Sequence, residues 1–231
     1  MHKKFLPLLL LSSLLGSFAQ EDLGRKAFVF PVASDTAYVV LKTIVQRPLT
    51  GFTLCMRFYT ELTRTFSLFS YASERNYNEI LIFVEKPNKY SLYLSDRAVT
   101  FDIPEKMTAK LGGEHICVSW ESDTGLVEFW MNGQPMVRKS LKKGHSISTE
   151  ASIILGQEQD SLGGGFDIDQ SFVGEITDMY MWSRVLSPDE VVHTWYNEAL
   201  PDCLINWRSL SYNITGYAAI KPALFSVRRA G

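Results

Sequence analysis

The sequence predicts an all-β protein, a two-sheet sandwich of the jelly-roll kind that carries one short helix. Short runs rich in Val, Ile, Phe, Tyr and Thr recur from Lys26 onward between turn residues, and such side chains pack well on a pleated sheet. The pair Asn132-Gly133 between two apolar runs is a strong hairpin signal, because both central residues of that turn tolerate positive φ. A regular succession of short strands is typical of a sandwich.

The first residues have the pattern of a secretory signal. A basic head at Lys3-Lys4 precedes an almost wholly apolar run over residues 5–15, and small residues follow up to Ala19. We predict a signal peptide over residues 1–19 and a secreted, extracellular and soluble chain that begins at Gln20. A membrane anchor is the alternative, but a spanning helix needs about 20 apolar residues.

The rest of the chain, residues 20–231, is expected to form one domain, because no linker or internal repeat divides it. It ends in a short basic tail that contains Arg228-Arg229. The predicted strands include residues 27–30, 37–41, 52–59, 66–71, 79–84, 90–94, 116–120, 126–131, 152–155 and 172–182.

One segment breaks the pattern of strands. Residues 187–190, Ser-Pro-Asp-Glu, match a capping box in which the serine and the glutamate satisfy each other's backbone amides. Apolar residues follow at helical spacing. We therefore predict a helix over residues 188–197 that lies on a sheet.

Charge argues against a nucleic-acid partner. The formal net charge is −2, and no stripe of Lys and Arg with interleaved aromatic residues is present. The one basic cluster, residues 138–143, is interpreted as the solvated edge of a hairpin.

The chain has three cysteines. Secretion makes a disulfide plausible, and Cys55 and Cys117 each lie inside a strand-like run. Cys203 lies in a turn-like segment and is left over, either as a free thiol or as an intermolecular link. Asn213 begins an Asn-Ile-Thr triplet, a weak signal for glycosylation.

An acidic, oxygen-rich loop over residues 158–170 follows a buried-looking strand. It combines carboxylates and side-chain amides with a run of glycines at 163–165 that lets the loop fold back. Calcium is bound by 6–8 such oxygens. A solvated acidic loop is the alternative reading, and an EF-hand is excluded because Phe172 stands where that loop needs Gly. Asn78-Glu79, in the turn before another strand, is a second possible contributor.

Several motifs together resemble the pentraxin family, specifically its short members. Residues 115–122 match the signature His-x-Cys-x-Ser/Thr-Trp-x-Ser/Thr, and residues 157–161 are similar to the family's calcium loop. Further similarity lies at residues 25–31 and 185–190, and the resemblance extends from about residue 22 to 222. It implies a flattened jelly roll with one helix, a ring of five subunits and a Cys55–Cys117 disulfide.

The resemblance also implies two adjacent calcium ions per subunit that bridge to a phosphate or another anionic ligand. By matching positions, the calcium ligands are Asn78, Glu158, the carbonyl of Gln159, Asp160, Asp167 and Gln170. Better-known members have Asp immediately before the Asn, where this chain has Tyr77. One carboxylate is therefore missing, and the first calcium is expected to bind more weakly.

The ligand pocket departs from the family as well. Phe83 matches the Phe that contacts choline methyl groups in the phosphocholine-binding members, but Ala98 occupies the position of the Glu that faces the cationic nitrogen. Tyr93 resembles the arrangement in another member. The resemblance thus favours a phosphate or carboxylate ligand without phosphocholine specificity.

The sequence therefore predicts a secreted, calcium-dependent pattern-recognition protein of innate immunity, not an enzyme. Its expected ligands are anionic or phosphate-bearing, such as phospholipid head groups and microbial or mucosal polysaccharides. It would act as a homo-oligomer, a pentamer by resemblance, without membrane insertion, and complement or Fc receptors are further possible partners.

Two alternatives remain open. A pentraxin that has lost calcium binding would serve as an oligomeric protein-binding module, which Tyr77 favours. A jelly-roll glycoside hydrolase would use Asp167 and Asp169, which share a face if they lie on a strand. Zinc is not expected, because His115, His145 and His193 do not cluster in the sequence.

Overall fold

A computed structural model describes residues 20–43, 45–108 and 113–225. The predicted signal peptide, residues 1–19, and the basic tail at Arg228-Arg229 lie outside the described residues. Within them, no helix is long and apolar enough to cross a membrane.

The described chain consists almost entirely of strands and their connections. In chain order the strands are β1 (Lys26–Phe30), β2 (Tyr38–Leu41), β3 (Gly51–Tyr59), β4 (Phe66–Ser73), β5 (Ile80–Lys86), β6 (Lys89–Leu94), β7 (Arg97–Asp102), β8 (Glu114–Glu121), β9 (Leu126–Met131), β10 (Gln134–Pro135), β11 (Lys139–Ser140), β12 (Ala151–Leu155), β13 (Gly174–Trp182), β14 (Cys203–Asn206), β15 (Tyr212–Thr215) and β16 (Ala219–Pro222). One α-helix, α1 (Pro188–Trp195), and three 3₁₀ turns, Glu105–Met107, Ile168–Gln170 and Trp207–Ser209, complete the described elements.

The strands form two sheets, and each pairing within them is antiparallel. The nine-stranded sheet runs β10-β9-β8-β3-β13-β1-β16, with β11 paired to β9 and β14 paired to β13. The seven-stranded sheet runs β15-β2-β12-β4-β5-β6-β7. The prediction of an all-β, two-sheet jelly-roll sandwich with one short helix is confirmed.

The core lies between the two sheets. In β5 and β6 alternate residues point inward, so that Ile80, Ile82, Val84, Leu92 and Leu94 belong to it. Trp120 and Trp207 are also buried there. Burial of this apolar area is the main favourable contribution to folding.

Helix α1 packs on the outer face of the nine-stranded sheet. Leu186 and Val191 contact Trp130, Trp182 and the disulfide in a second, smaller cluster. The predicted capping box is present, since the Ser187 side chain accepts from the Glu190 amide and Glu190 accepts from the Ser187 amide at 2.8 Å. The helix ends at Trp195, two residues before the predicted end at Asn197.

The predicted turn at Asn132-Gly133 is confirmed. Both residues have positive φ, 51° and 77°, and the turn joins β9 to β10. The basic cluster is an edge, as expected: Arg138 and Lys139 are exposed, and Arg138 pairs with Glu128 at 2.7 Å.

The sequence-based prediction missed the outlying strands β7, β14, β15 and β16. β7, β15 and β16 are each the last strand at an end of a sheet, and β14 pairs only with β13. The side chains of all four strands are mostly exposed or half-buried. Residues there need no strict apolar alternation, so the signal used for prediction is weak.

The disulfide between Cys55 and Cys117 is present, as the resemblance implied. The two residues are direct partners on β3 and β8, with Cα atoms 4.1 Å apart. Cys203 is a free, half-buried thiol that donates to the Leu200 carbonyl at 3.2 Å. Burial, followed by the nearby Asp202, raises the pKa of Cys203 to about 11.

Candidate functional site

The predicted site residues gather on the outer face of the seven-stranded sheet. On β5, Leu81 and Phe83 alternate with the core residues and point to this face, and Tyr93 on β6 stands directly opposite Leu81. The loop after β12 crosses the same face, where the backbone amide of Gln159 donates to Ser70 Oγ at 3.3 Å.

The loop begins at a glycine that no other residue could replace without strain. Gly156 has φ of 88°, and a Cβ there would lie 2.5 Å from the ring of Phe30. Its carbonyl accepts from the Phe172 amide at 2.9 Å, which brings the far end of the loop back to its start. The segment between them is therefore a closed loop with a fixed base.

Two buried glutamines attach the loop to the sheet. Gln157 Nε2 donates to the Ala37 carbonyl at 2.9 Å. Gln159 Nε2 donates to the carbonyls of Ser70 and Ser152, both at 3.1 Å, and its Oε1 accepts from the Gly163 amide. Since this side chain is committed to the scaffold, a contribution of Gln159 to an ion would come from its main-chain carbonyl, as the resemblance implies.

Glu158 lies at the centre of the predicted calcium ligands. Burial raises its pKa, and repulsion by Asp160 and then Asp167 adds to the effect, whereas a hydrogen bond from the Asn78 side chain opposes it. Asn78 therefore hydrogen-bonds to the half-buried Glu158 carboxylate, and Asp160 and Asp167 lie near enough to repel it, although the oxygens of the three carboxylates are not all within 4.8 Å of one another. A bound cation would relieve the repulsion among them.

Two of the predicted calcium ligands have an amide oxygen without a hydrogen-bond partner. Asn78 Oδ1 and Gln170 Oε1 are buried and unpaired. A buried polar atom without a partner costs roughly 1–3 kcal/mol. Oxygens of this kind are the donors that calcium takes, so the residues present fit a hard cation.

Asp167 and Gln170 are set by the 3₁₀ turn Ile168–Gln170. Asp167 is its N-cap and accepts from the Asp169 amide at 2.9 Å. Arg64 holds the end of the turn by donating to the Ser171 carbonyl at 2.7 Å. Because Asp167 and Asp169 lie on a turn and not on a strand, the shared sheet face required by the hydrolase alternative is absent.

The pair Asn78-Glu79 is divided between two roles. Asn78 faces Glu158, whereas Glu79 is buried and accepts from Ser73 Oγ and the Ser148 amide, both at 3.0 Å. The sequence analysis predicted both residues as possible contributors to the calcium site, but the Glu79 carboxylate hydrogen-bonds within the scaffold instead. Tyr77, the departure from the family pattern, is 46% exposed.

Phe83 and Tyr93, which the resemblance assigns to a ligand pocket, lie next to each other, and that role stays a prediction. Their rings meet edge to face with centroids 6.5 Å apart, and Tyr93 is the register partner of the exposed Ala98. Burial raises the pKa of Tyr93, and the nearby Glu85 adds to it.

Glu85 is a feature that the sequence-based prediction missed. Its Oε1 accepts from Ser91 Oγ at 2.9 Å and from the Tyr93 hydroxyl at 3.3 Å. Period-two alternation of β5 predicts residues 83 and 85 on one face, so this signal was available, although the pairing with β6 has a β-bulge between Val84 and Lys86.

The remaining sequence candidates lie elsewhere. Asn213 is exposed on β15, the outermost strand of the seven-stranded sheet, and its glycosylation remains a prediction. Among the described residues, the ligand atoms of three His, Cys, Asp or Glu side chains lie within 4.8 Å of one another only for Cys55, His115 and Cys117. That group is no metal site, because both sulfurs are in the disulfide.

Comparison with known proteins agrees with these features. The Pentaxin family model matches residues 26–222. The chain is 50% identical to human C-reactive protein over 96% of its own length and 99% of the relative's, and 47% identical to human serum amyloid P-component over 97% and 100%. It is 46% identical to mucosal pentraxin of Bos taurus over 97% and 100%.

A solved structure shares the fold. The heptameric SAP-like pentraxin from Limulus polyphemus superposes with a TM-score of 0.76 at 23% identity, covering 86% of this chain and 95% of that one. With the family model spanning β1 to β16 and these relatives matched over nearly their full length, the chain belongs to the pentraxin family.

Proposed function

We propose that this protein is a secreted, calcium-dependent recognition protein of innate defence that binds anionic or phosphate-bearing ligands. The observation that carries the proposal is the pair of buried, unpaired oxygens, Asn78 Oδ1 and Gln170 Oε1, beside the carboxylates around Glu158. Family membership supports the same function, since the relatives include C-reactive protein and serum amyloid P-component.

The proposed calcium ligands are those on the outer face. Calcium would supply positive charge that bridges the protein to a ligand phosphate or carboxylate. We expect two ions per subunit, the first of them weakened by Tyr77, held by Asn78, Glu158, the Gln159 carbonyl, Asp160, Asp167 and Gln170.

Phe83 and Tyr93 would contact the part of the ligand next to its anionic group. Only 9% of Phe83 is exposed, so it offers a small apolar edge, while Tyr93 adds a hydroxyl. Ala98 provides no carboxylate, so we propose a ligand defined by its anionic group and not by a choline.

We also propose that the subunits assemble into a closed ring, a pentamer by family resemblance. One relative in the same family is heptameric. A ring repeats one weak site several times, and simultaneous contacts with a surface raise the overall affinity well above that of a single site. Sedimentation of the secreted protein tests this, and a monomer would contradict it.

Calcium titration of the secreted protein by calorimetry is the direct test. We expect binding that Glu158→Gln greatly weakens, because Glu158 is the central half-buried carboxylate. Asp169→Asn is the matched control, since it removes a carboxylate of the same loop that lies outside the proposed ligand set. Absence of calcium binding at millimolar concentration would refute the metal-bridged mechanism, though not the fold.

One observation favours a second candidate function. Tyr77 stands where the family pattern has a carboxylate, so a calcium-impaired pentraxin that serves as an oligomeric protein-binding module remains the alternative. Retention on phosphate-bearing resin separates the two: calcium-dependent retention supports the first function, and calcium-independent protein binding the second.

A further inference from the structure

The strand at one end of the seven-stranded sheet, β15, has a side without a partner. It pairs with β2 along its full length, from Tyr212 opposite Leu41 to Thr215 opposite Tyr38. Among the described residues, no strand pairs with the other side of β15. An exposed strand edge offers unpaired backbone groups to any other chain, so folded proteins protect such edges.

The other ends of the two sheets carry protection of the usual kinds. On β7, Arg97 and Asp102 are exposed charges. β16 ends in the exposed Lys221 and Pro222, and β10 is only two residues long, Gln134–Pro135. Charge, proline and short length each discourage pairing with an added strand.

β15 has none of these features. The chain around it, residues 209–220, contains no charged residue and no proline, and it is rich in apolar and aromatic side chains such as Tyr212 and Ile214. A segment with high β-propensity and no charge is the type that pairs with other copies of itself. The free edge of β15 therefore needs a protection that its own charges do not supply.

The one acceptor triplet for N-linked glycosylation in the whole sequence lies in this strand, at Asn213-Ile214-Thr215. Tyr212 and Ile214 pack against the core. Asn213 and Thr215 alternate with them along the strand and are both exposed. The amide that would receive a glycan and the hydroxyl that completes the triplet are thus both at the surface, on the strand whose edge is open.

We propose that Asn213 carries an N-linked glycan and that this glycan closes the free edge of β15 to strand pairing with other molecules. A glycan is bulky and hydrated, so on the last strand of a sheet it obstructs the approach of an added strand. It takes the place of the charges found at other sheet ends. The proposal rests on the secretion named in the proposed function, because this modification occurs in the secretory pathway, and it does not involve calcium.

The first measurement is the mass of the full chain secreted by mammalian cells, before and after digestion with peptide N-glycosidase. We expect a glycan that the enzyme removes, with Asn213 converted to Asp in that reaction. Thr215→Val removes the hydroxyl of the triplet and should abolish the glycan, whereas Thr215→Ser keeps a hydroxyl and should retain it. A secreted parent without a glycan would overturn the proposal and leave secretion intact, and a chain that is not secreted would overturn both.

The second measurement is self-association, followed by sedimentation velocity over a range of protein concentrations. The parent and Thr215→Ser should keep one assembly size. Thr215→Val and Asn213→Gln should form larger species in addition, severalfold more than the parent, because the edge is uncovered. Asn213→Glu also lacks the glycan but places a charge on the strand, so it should behave as the parent does. Thermal unfolding verifies that each variant is folded.

A relocated glycan separates closure of the edge from a general gain in solubility. Glu61→Asn creates an acceptor triplet with Leu62 and Thr63 at an exposed position between β3 and β4, and β4 is three strands away from β15. In the Thr215→Val background, this glycan should leave self-association unchanged. If it suppresses self-association as fully as the native glycan, or if Thr215→Val keeps the parent's assembly, edge closure is refuted while the modification of Asn213 stands.

Discussion

At the scale of single residues, Tyr77 is the position at which the proposed outer-face site lacks a negative charge that the family pattern has. It directly precedes Asn78, whose side chain contacts Glu158, and it is neutral where a carboxylate would add charge. Calcium affinity rises with the number of charged ligands. The proposed donor set therefore lacks one charge relative to the family pattern.

Restoring the carboxylate should strengthen calcium binding. We expect Tyr77→Asp to raise calcium affinity roughly tenfold, because one added charge at a few ångströms contributes on the order of 1–4 kcal/mol in a partly solvated site. Tyr77→Asn is the neutral control and should leave affinity close to that of the parent. Calorimetric titration measures both, and equal gains in the two variants would assign the effect to size instead of charge.

A second residue-scale feature is the buried ion pair of Arg57 and Asp178. Arg57 Nε lies 3.6 Å from Asp178 Oδ2, both side chains are buried, and the Arg57 guanidinium also donates to the Trp195 carbonyl. Burial raises the pKa of Asp178, and Arg57 acts in the opposite direction. Arg57 therefore offsets the cost of a charge that the fold has taken out of water.

Removing Arg57 alone should cost more than neutralising the pair. We expect Arg57→Met to lower the free energy of unfolding by roughly 3 kcal/mol, the lower end for a broken buried pair, because the buried Asp178 loses its largest opposing charge but keeps Arg208 and the hydrogen bond from Asn197. The double variant Arg57→Met/Asp178→Asn should recover much of this, and Asn tolerates the positive φ of 49° at that position. Urea denaturation measures both.

The pH dependence of the single variant follows from the sign of the shift. A folded-state pKa raised above the unfolded value means that ionised Asp178 opposes folding at high pH. The loss in Arg57→Met should therefore be largest at neutral pH and shrink as the pH falls through the raised pKa. A loss that is constant across this range would contradict the explanation.

At the scale of elements, the loop between β12 and β13 is held in place by contacts at its two ends and by its buried glutamines, and its carboxylates contribute less. Gly156, buried glutamines and the 3₁₀ turn hold its two ends and its middle. The carboxylates then have only to project from a backbone that is already in place. Preorganisation of this kind reduces the entropy lost on binding an ion.

Changing the base of the loop should disturb both stability and binding. We expect Gly156→Ala to destabilise the protein by roughly 1–3 kcal/mol, because its positive φ and the ring of Phe30 leave no room for a methyl group. Calcium affinity should fall as well. Gly144→Ala is the control, since Gly144 also has positive φ but its added Cβ meets nothing within 4 Å. Thermal unfolding and calcium titration of both variants measure the difference.

At the scale of the whole molecule, the two outer faces of the sandwich carry different features. The nine-stranded sheet carries α1, the disulfide and their small apolar cluster, while the seven-stranded sheet carries the proposed ligand site. The common core between the sheets keeps the two faces apart. Changes on the face with the helix should therefore affect stability more than binding.

The disulfide provides a test of this separation. It closes a chain segment of 62 residues, and a loop of that size corresponds to about 4 kcal/mol of stabilisation in the chain-entropy model. We expect Cys55→Ala/Cys117→Ala to lose roughly this amount in denaturant unfolding, yet to bind calcium with parental affinity below its unfolding transition. Weakened calcium binding by the folded double variant would contradict the independence of the two faces.

Much of this protein follows from local sequence. Period-two alternation placed the central strands, Asn132-Gly133 placed a hairpin and Ser187 with Glu190 placed the start of the helix, since each depends on neighbours in the chain. Outlying strands such as β15 were missed because exposed positions carry no such pattern. The sequence also showed the acidic loop, by its residue types, and two cysteines within strand-like runs.

The tertiary structure decided which of these groups meet. Only the packing of the loop over the seven-stranded sheet brings Asn78 to Glu158 and turns Glu79 away into the scaffold, although the two are neighbours in sequence. The same packing sets Glu85 beside Tyr93 and leaves the amide oxygens of Asn78 and Gln170 buried without partners. Local sequence determines elements because their forces act between near neighbours, whereas a site joins residues some 80 positions apart, and only the register and closure of the sheets can place them.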